Sequence, residues 1–217
     1  AGLGGLSFLW HLVESGRQDR RVLVIDRSFK RSDDRTWCFW GPPDAPFADI
    51  AAQRWSEATI LHEDSALQKS LGELLYHCVP SEVFREHVLS RLEGVPWITL
   101  VEASIDNLGE DHEGPYVDTS LGRFRGDWMV QSLRWAESEP DIRYPVRQHF
   151  GGLEIRTQTP NFDPARFTLM DFRVDQRDGV AFFYILPFSE NRALVEHTVF
   201  STNPLPAAEH LSVVEAH

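Results

Sequence analysis

The sequence has only two cysteines, Cys38 and Cys78. Two thiols at that spacing make neither a disulfide framework nor a metal-binding pattern, and they suit a reducing compartment. No metal is expected. Basic charge is also short. Lys and Arg number 21 against 33 Asp and Glu, a formal net charge of −12. A nucleic-acid partner needs a basic footprint and is excluded. Docking on anionic lipid by charge alone is excluded too, while shallow apolar contact with a membrane stays open. Long hydrophobic runs are missing. No stretch approaches the roughly 18 apolar residues of a membrane span, and the richest, AFFYILPF (Ala181 to Phe188), has the length of a buried strand. There is no internal repeat and no low-complexity segment. An initiator methionine and a secretory signal are both absent. The opening AGLGGLSFLW reads like the inside of a motif, and Pro204 to His217 bring no closing element, so truncation at both ends is expected.

What is present is ordinary in bulk and specific in detail. A chain of 217 residues, 42% hydrophobic and 25% charged, makes one large soluble domain or two small ones, with room for a sizeable core. Seven Trp and fourteen Phe favour an extensive core or a large apolar pocket.

Leu3 to Ser15 has helical periodicity, with Leu6, Leu9, Trp10 and Val13 on one face and Gly16 to close it. RVLVID (Arg21 to Asp26) reads as a fully buried parallel strand. Phe29 to Trp55, rich in Pro, Asp and Trp, reads as an irregular surface excursion. Ser81 to Gly94 is a helix, capped by Ser81 after Pro80, with Val83, Phe84, His87, Val88 and Leu92 inward. Trp97 to Ile105 and Trp128 to Gln131 read as strands. From about Tyr144 the pattern turns to strands and turns. Phe167–Val174, Val180–Pro187 and Arg192–Phe200 form an antiparallel meander broken at Asp178-Gly179 and at Ser189 to Asn191. The fold class expected is α/β (α+β overall). A mainly Rossmann-like domain over 1–143, with excursions into the other domain allowed, precedes an antiparallel β domain over 144–217.

The opening residues fit a dinucleotide fingerprint cut part-way through. That fingerprint is strand, G-x-G-x-x-G, helix, then a second strand ending in an acid about 20 residues on. Gly2 and Gly5 take the second and third glycine positions, and the first would precede Ala1. Gly2 lets backbone approach a pyrophosphate, and Gly5 lets the helix pack on its strand. The helix start, from Leu3, offers unpaired N–H groups to phosphates. Asp26 ends the next strand, where it can accept hydrogen bonds from ribose hydroxyls. The motif does not choose between flavin and nicotinamide.

Six stretches in order, AGLGGLS, DRTWCFW, FGGLEIRT, TLMDFRV, FFYILPFS and LVEHTVFS, resemble the bacterial lycopene β-cyclases, a branch of the flavoprotein monooxygenase-like superfamily. The resemblance covers nearly the whole chain. It implies a Rossmann-like FAD-binding domain holding cofactor through Gly2, Leu3, Gly5 and Asp26, and a substrate domain on an antiparallel sheet. It implies reduced FAD, NADPH as the source of electrons, and closure of the ψ-ends of lycopene into β-ionone rings without net redox change. It implies a cytoplasmic protein working peripherally at the inner face of the bacterial membrane. One departure is Gln131, in Val130 to Arg134, where related enzymes carry an acid. The alternatives are a flavin monooxygenase or polyprenyl reductase of the same superfamily, or a non-catalytic carotenoid- or lipid-binding module.

Ring closure on a hydrocarbon requires a strong proton donor, a dry aromatic wall and a base. Glu196 interrupts the apolar run Ala193-Leu194-Val195, where apolar surroundings would keep its proton on. The residues alone equally allow a glutamate facing water on an edge strand, or one paired with Arg192. The resemblance makes Glu196 the essential acid. Asp171 interrupts Leu169-Met170 and Phe172 in the same way, and is a candidate either to assist Glu196 or to hold a structural hydrogen bond. A two-residue turn at Asp178-Gly179 and an odd loop at 189–191 would put both acids on one face, and a bulge would reverse that. Trp37, Phe39, Trp40, Phe183 and Tyr184 are candidates either to steady a carbocation or to fill core. Trp37 stands out because its motif reads as loop. His197 should point away from Glu196.

Overall fold

The computed structural model describes residues 2–30, 35–132, 145–176 and 179–217. The chain forms two compact units, one from residues 1–37 and 79–137, the other from 38–78 and 138–217. The segment 38–78 therefore belongs with the C-terminal half, an excursion larger than a division at residue 143 suggests.

In the first unit, helix α1 (Leu3–Glu14) ends as expected, with Gly16 at φ 71. A positive φ carries no steric penalty for glycine. Strands β1 (Val22–Asp26) and β7 (Ile98–Glu102) pair in parallel, Asp26 beside Glu102. Helix α2 (Ser81–Leu92) leads into β7 and packs against α1, where Arg91 Nε donates to Glu14 Oε1 at 2.7 Å. Ser81 is not its cap. Pro80 holds the N-cap position, and Ser81 is the first helical residue, its hydroxyl accepting from Arg85 at 3.4 Å. The buried face is Ser81, Phe84, Arg85, Val88 and Leu92, while Val83 is exposed. A meander of β8 (Ile105–Asp111), β9 (Gly114–Thr119) and β10 (Gly122–Arg125) follows, which hydrophobic patterning did not announce. Trp128 to Gln131 form no strand. Leu133 and Arg134 lie outside the described residues, as does Asp34.

The second unit is a β sandwich. Residues 36–55 are not irregular: they hold β2 (Thr36–Gly41) and β3 (Gln53–Trp55), which sandwich β6 (Leu75–Pro80). The larger sheet runs β11-β14-β13-β12-β4-β5. Its strands are β4 (Glu57–His62), β5 (Ser65–Ser70), β11 (Arg147–Arg156), β12 (Arg166–Asp171), β13 (Gly179–Ser189) and β14 (Arg192–Ser201). The pair β12–β4 is parallel, and the expected meander β12-β13-β14 is antiparallel.

Each face of this sheet has its own cover. On one face Phe167, Leu169, Leu186, Phe188 and Leu194 pack against Trp55, Cys38, Tyr76 and Cys78 of the small sheet. Trp55 and Phe167 have no exposed surface, and burial of such side chains contributes roughly 1.5–3 kcal/mol each. Pro187 lacks an N–H, so the β13–β14 ladder slips there, and the Pro187 carbonyl accepts from Trp55 Nε1 at 3.2 Å. On the other face Phe183, Ala193 and Val195 pack against Val213 and Val214 of helix α3 (Ala207–Ala216). The residues 204–217 thus do bring an element, and it covers the sheet.

The double glycine of FGGLEIRT serves both faces. A Cβ on Gly151 would come 2.7 Å from His210 Cβ of α3, and one on Gly152 would come 2.9 Å from the Val195 carbonyl oxygen and 3.1 Å from Glu196 Cβ. A side chain at either position would push a neighbouring element away.

Candidate functional site

Two sets of residues carry chemistry, one in each unit. In the first, Gly2 takes the N-cap of α1 in extended conformation, and the carbonyl of Gly2 accepts from Leu6 N–H at 3.0 Å. The N–H groups of Leu3, Gly4 and Gly5 precede the first intrahelical donor. The first turn carries no acid, and a Cβ on Gly2 or Gly4 would meet nothing within 4 Å. An open helix start with free donors fits an anionic pyrophosphate. Asp26, 9% exposed, accepts from Ser28 N–H at 3.2 Å, while Glu102 accepts from Phe29 N–H at 2.9 Å. The residues present fit the phosphates and ribose of a dinucleotide.

In the second unit the central residue is Glu196. Its strand β14 lies between β11 and β13, so it is no edge residue. Arg192 is engaged elsewhere, donating to both oxygens of Glu154 at 2.8 and 2.6 Å. Strand pairing sets Glu196 opposite Tyr184 on one side and Gly152 on the other. Its face is that of Leu194 and Leu186, the face covered by the small sheet. Thr198, two residues on and fully buried, donates to Glu196 Oε1 at 3.1 Å. Burial pushes the Glu196 carboxyl above the ordinary glutamate range, against a smaller downward pull from the Thr198 hydroxyl. Burial also raises Tyr184, and the neighbouring Glu196 charge and Cys38 add to it. Among the described residues Glu196 has no cation partner. A carboxyl so placed is a weaker acid than a solvated glutamate and lies among apolar neighbours.

Asp171 is on the other face. Thr168 opposes Ile185, but the next registered pair is Asp171 with Phe183, so β12 bulges by one residue between them. Phe183 shares its face with His197 and α3. The connection to β13 is also not a two-residue turn at 178–179: Gly179 already pairs with Ser201, and Asp178 lies outside the described residues. Asp171 has no exposed surface and is held by Arg173, whose Nε reaches Oδ1 at 2.9 Å and whose Nη2 reaches Oδ2 at 2.7 Å. Burial pushes its carboxyl up. The Arg173 side chain and N–H together, with His217, outweigh that and hold it below the usual aspartate range. The structure thus places Asp171 on the face opposite Glu196 and does not bring the two acids together, and its bonds to Arg173 fit the second of its two roles, a structural hydrogen bond.

The aromatic candidates divide likewise. Tyr184 lies beside Glu196. Trp40 lies at the margin of that core, 4.5 Å from Tyr76 and 6.0 Å from Phe167 between ring centroids, and is 46% exposed. Phe39 points the other way and stacks on His77 at 4.7 Å. Phe183 faces α3, stacked on His217 at 4.0 Å. Trp37 is in strand β2, not a loop, and meets Phe84 edge-on at 5.1 Å. Residue patterning did not single out Tyr76, Cys38, Thr198 or Gly152. Only Thr198 had a legible signal, since residues two apart on a strand share a face.

Beyond Tyr184 and Glu196 the same face continues as Phe182, Phe200, Val180 and Phe150. Phe182 is 5.1 Å from Tyr184 and 6.2 Å from Phe200 between centroids, and Val180, Phe150 and Phe200 are exposed. Glu196 thus sits within an apolar, largely aromatic band.

The model of the family described as lycopene cyclase protein matches residues 1–214. A lycopene beta-cyclase of Paracoccus sp. (strain N81106 / MBIC 01143) is 28% identical over 212 residues, covering 91% of this chain and 51% of the relative. One of Pantoea ananas is 25% identical over 197 residues, covering 88% and 48%. The chain spans about half the length of these curated relatives. Among solved structures, a flavin-dependent halogenase of Xanthomonas campestris superposes with a TM-score of 0.70 at 12% identity, covering 100% of this chain and 57% of the other. A geranylgeranyl bacteriochlorophyll reductase-like protein of Thermoplasma acidophilum superposes with a TM-score of 0.67 at 13% identity, covering 99% and 58%. The fold is that of these flavoprotein-type structures.

Proposed function

The chain belongs to the lycopene cyclase family, and from that premise we propose that its protein closes the ψ-ends of lycopene into β-ionone rings, with reduced FAD as cofactor and NADPH as the source of electrons. The observation that carries the proposal is Glu196: a carboxyl on a central strand, its pKa pushed up by burial, without a cation partner among the described residues, inside an aromatic band.

Glu196 gives its proton to the terminal alkene and leaves a tertiary carbocation. The neighbouring double bond attacks that cation and closes the ring, and loss of a ring proton to a base restores neutrality. The product is an isomer of the substrate, so no electrons are consumed. A hydrocarbon offers nothing to hydrogen-bond, so Tyr184, Phe200 and Phe150, backed by the buried Phe182, bind it by contact and present ring faces to the positive charge. The helix start at Gly2 to Gly5 and Asp26 would hold a flavin, which in its reduced form would supply negative charge. No helix among the described residues is long and apolar enough to cross a membrane; contact with the membrane surface is the route by which a lipid-dissolved substrate is reached.

The test uses full-length protein, reduced FAD and lycopene in liposomes without oxygen, with pigments followed by chromatography and NADPH by absorbance. Conversion to γ- or β-carotene without matching NADPH loss, abolished by Glu196→Gln, is expected. Oxygenated or hydrogenated products in step with NADPH loss would assign the protein to the redox branch of the superfamily. Carotenoid binding indifferent to Glu196→Gln would make it a binding module.

A further inference from the structure

Glu196 makes one hydrogen bond among the described residues, from the Thr198 hydroxyl to Oε1 at 3.1 Å. Three features make that bond informative. Thr198 is fully buried, so its hydroxyl has no bulk water to turn to. It lies two residues from Glu196 on the same strand, so both side chains rise from one face. Gly152, opposite Glu196, leaves the carboxylate stem free of a Cβ that would stand 3.1 Å from it. The stem is uncrowded and the head is tethered at one oxygen.

A protonated carboxyl has two unlike oxygens, one a carbonyl acceptor and one bearing the proton. A hydroxyl that donates to Oε1 makes Oε1 the carbonyl oxygen and leaves the proton on Oε2. We propose that Thr198 is a positioning residue for the acid: its hydrogen bond selects Oε2 as the oxygen that carries the transferable proton and fixes the carboxyl for transfer to the substrate alkene. This rests on Glu196 being the acid. The same bond strengthens as negative charge develops on the carboxyl, because a donor to a carboxylate binds more tightly than a donor to a neutral acid. Thr198 therefore favours proton departure as well as direction.

Thr198→Val and Thr198→Ser are made in full-length, flavin-loaded protein. Turnover is measured against pH, and the Glu196 carboxyl band is followed by difference infrared spectroscopy, assigned by its loss in Glu196→Gln. For Thr198→Val the carboxyl stretch should move to higher frequency, and the high-pH limb of turnover should move up. The maximal rate should fall about tenfold with a smaller change in KM, the size expected for one lost hydrogen bond. Thr198→Ser keeps the hydroxyl and should restore the band, the limb and most of the rate. A merely structural role would lower stability without moving band or limb. If Thr198→Val leaves both unmoved, the positioning role is overturned. If Glu196→Gln retains turnover, the acid itself is misassigned, whatever Thr198→Val does to the band.

Discussion

At the scale of single residues, the face on which a carboxyl lies decides its chemistry. Glu196 and Asp171 both interrupt apolar strands, but burial pushes one carboxyl above the ordinary range while Arg173 holds the other below it. Replacing Asp171 with Asn should lower stability by about 1–3 kcal/mol, read by chemical denaturation, while turnover per folded molecule is kept. Loss of turnover without loss of stability would restore a catalytic role for it. Gly152→Ala should lower turnover by about tenfold or more, since displacing a reacting group by a fraction of an ångström is costly. A steady-state rate equal to the parent's would show that the neighbouring strand accommodates the methyl without moving Glu196.

At the scale of elements, α3 is attached to the sheet by a chain of histidine contacts. Leu205 N–H donates to His149 Nδ1 at 3.3 Å, and Ser201 Oγ donates to the Asn203 carbonyl at 2.8 Å. His149 Nε2 lies 3.0 Å from Ser201 Oγ and His149 Nδ1 lies 2.8 Å from His210 Nε2. His210 Nδ1 in turn lies 3.0 Å from His197 Nδ1. Burial first, then the nearby His210, His149 and His217, hold His197 down to about 4 from an ordinary value of 6.5. Burial likewise lowers His210, despite Glu209. The unfolded chain therefore binds more protons than the folded one below pH about 6.5. The stabilisation is fully present above that value and is lost as pH falls through about 4. Thermal melts across this window should fall, and His197→Asn should flatten the slope. An unchanged slope would remove His197 from the account. Gly151→Ala, which sets a methyl against His210, should destabilise by about 1–3 kcal/mol at neutral pH.

At the scale of the whole molecule, charge and composition set how the chain meets its surroundings. With a net charge of −12, the chain gains nothing from anionic headgroups. Flotation of the full-length protein with neutral and anionic vesicles should show no preference for the anionic ones and little dependence on salt. Recruitment that grows with anionic lipid and fades with salt would overturn docking by apolar contact. The two units differ in how their parts were legible. The helix start, RVLVID and the strands from Phe167 to Phe200 are local patterns of period or spacing, and they stand where those patterns put them, although the RVLVID strand is parallel but only partly buried, with Leu23 exposed. The sheet formed by 36–55 and 75–80 is not local. Its strands are short, carry Pro and Trp, and are completed only by partners distant in sequence.

The amino-acid order by itself determined the elements with strong periodicity, the open helix start, Asp26 at a strand end, and Glu196 as an acid among apolar residues. Each follows from neighbours within a few positions. Only the tertiary structure decided that Asp171 turns away from Glu196, because a single bulge between Thr168 and Asp171 reverses the alternation and leaves no mark in composition. It likewise decided that Thr198 tethers the acid, that Gly152 clears its stem, and that Phe183 and three histidines serve α3. Those are contacts across strands and faces, and their partners are chosen by register.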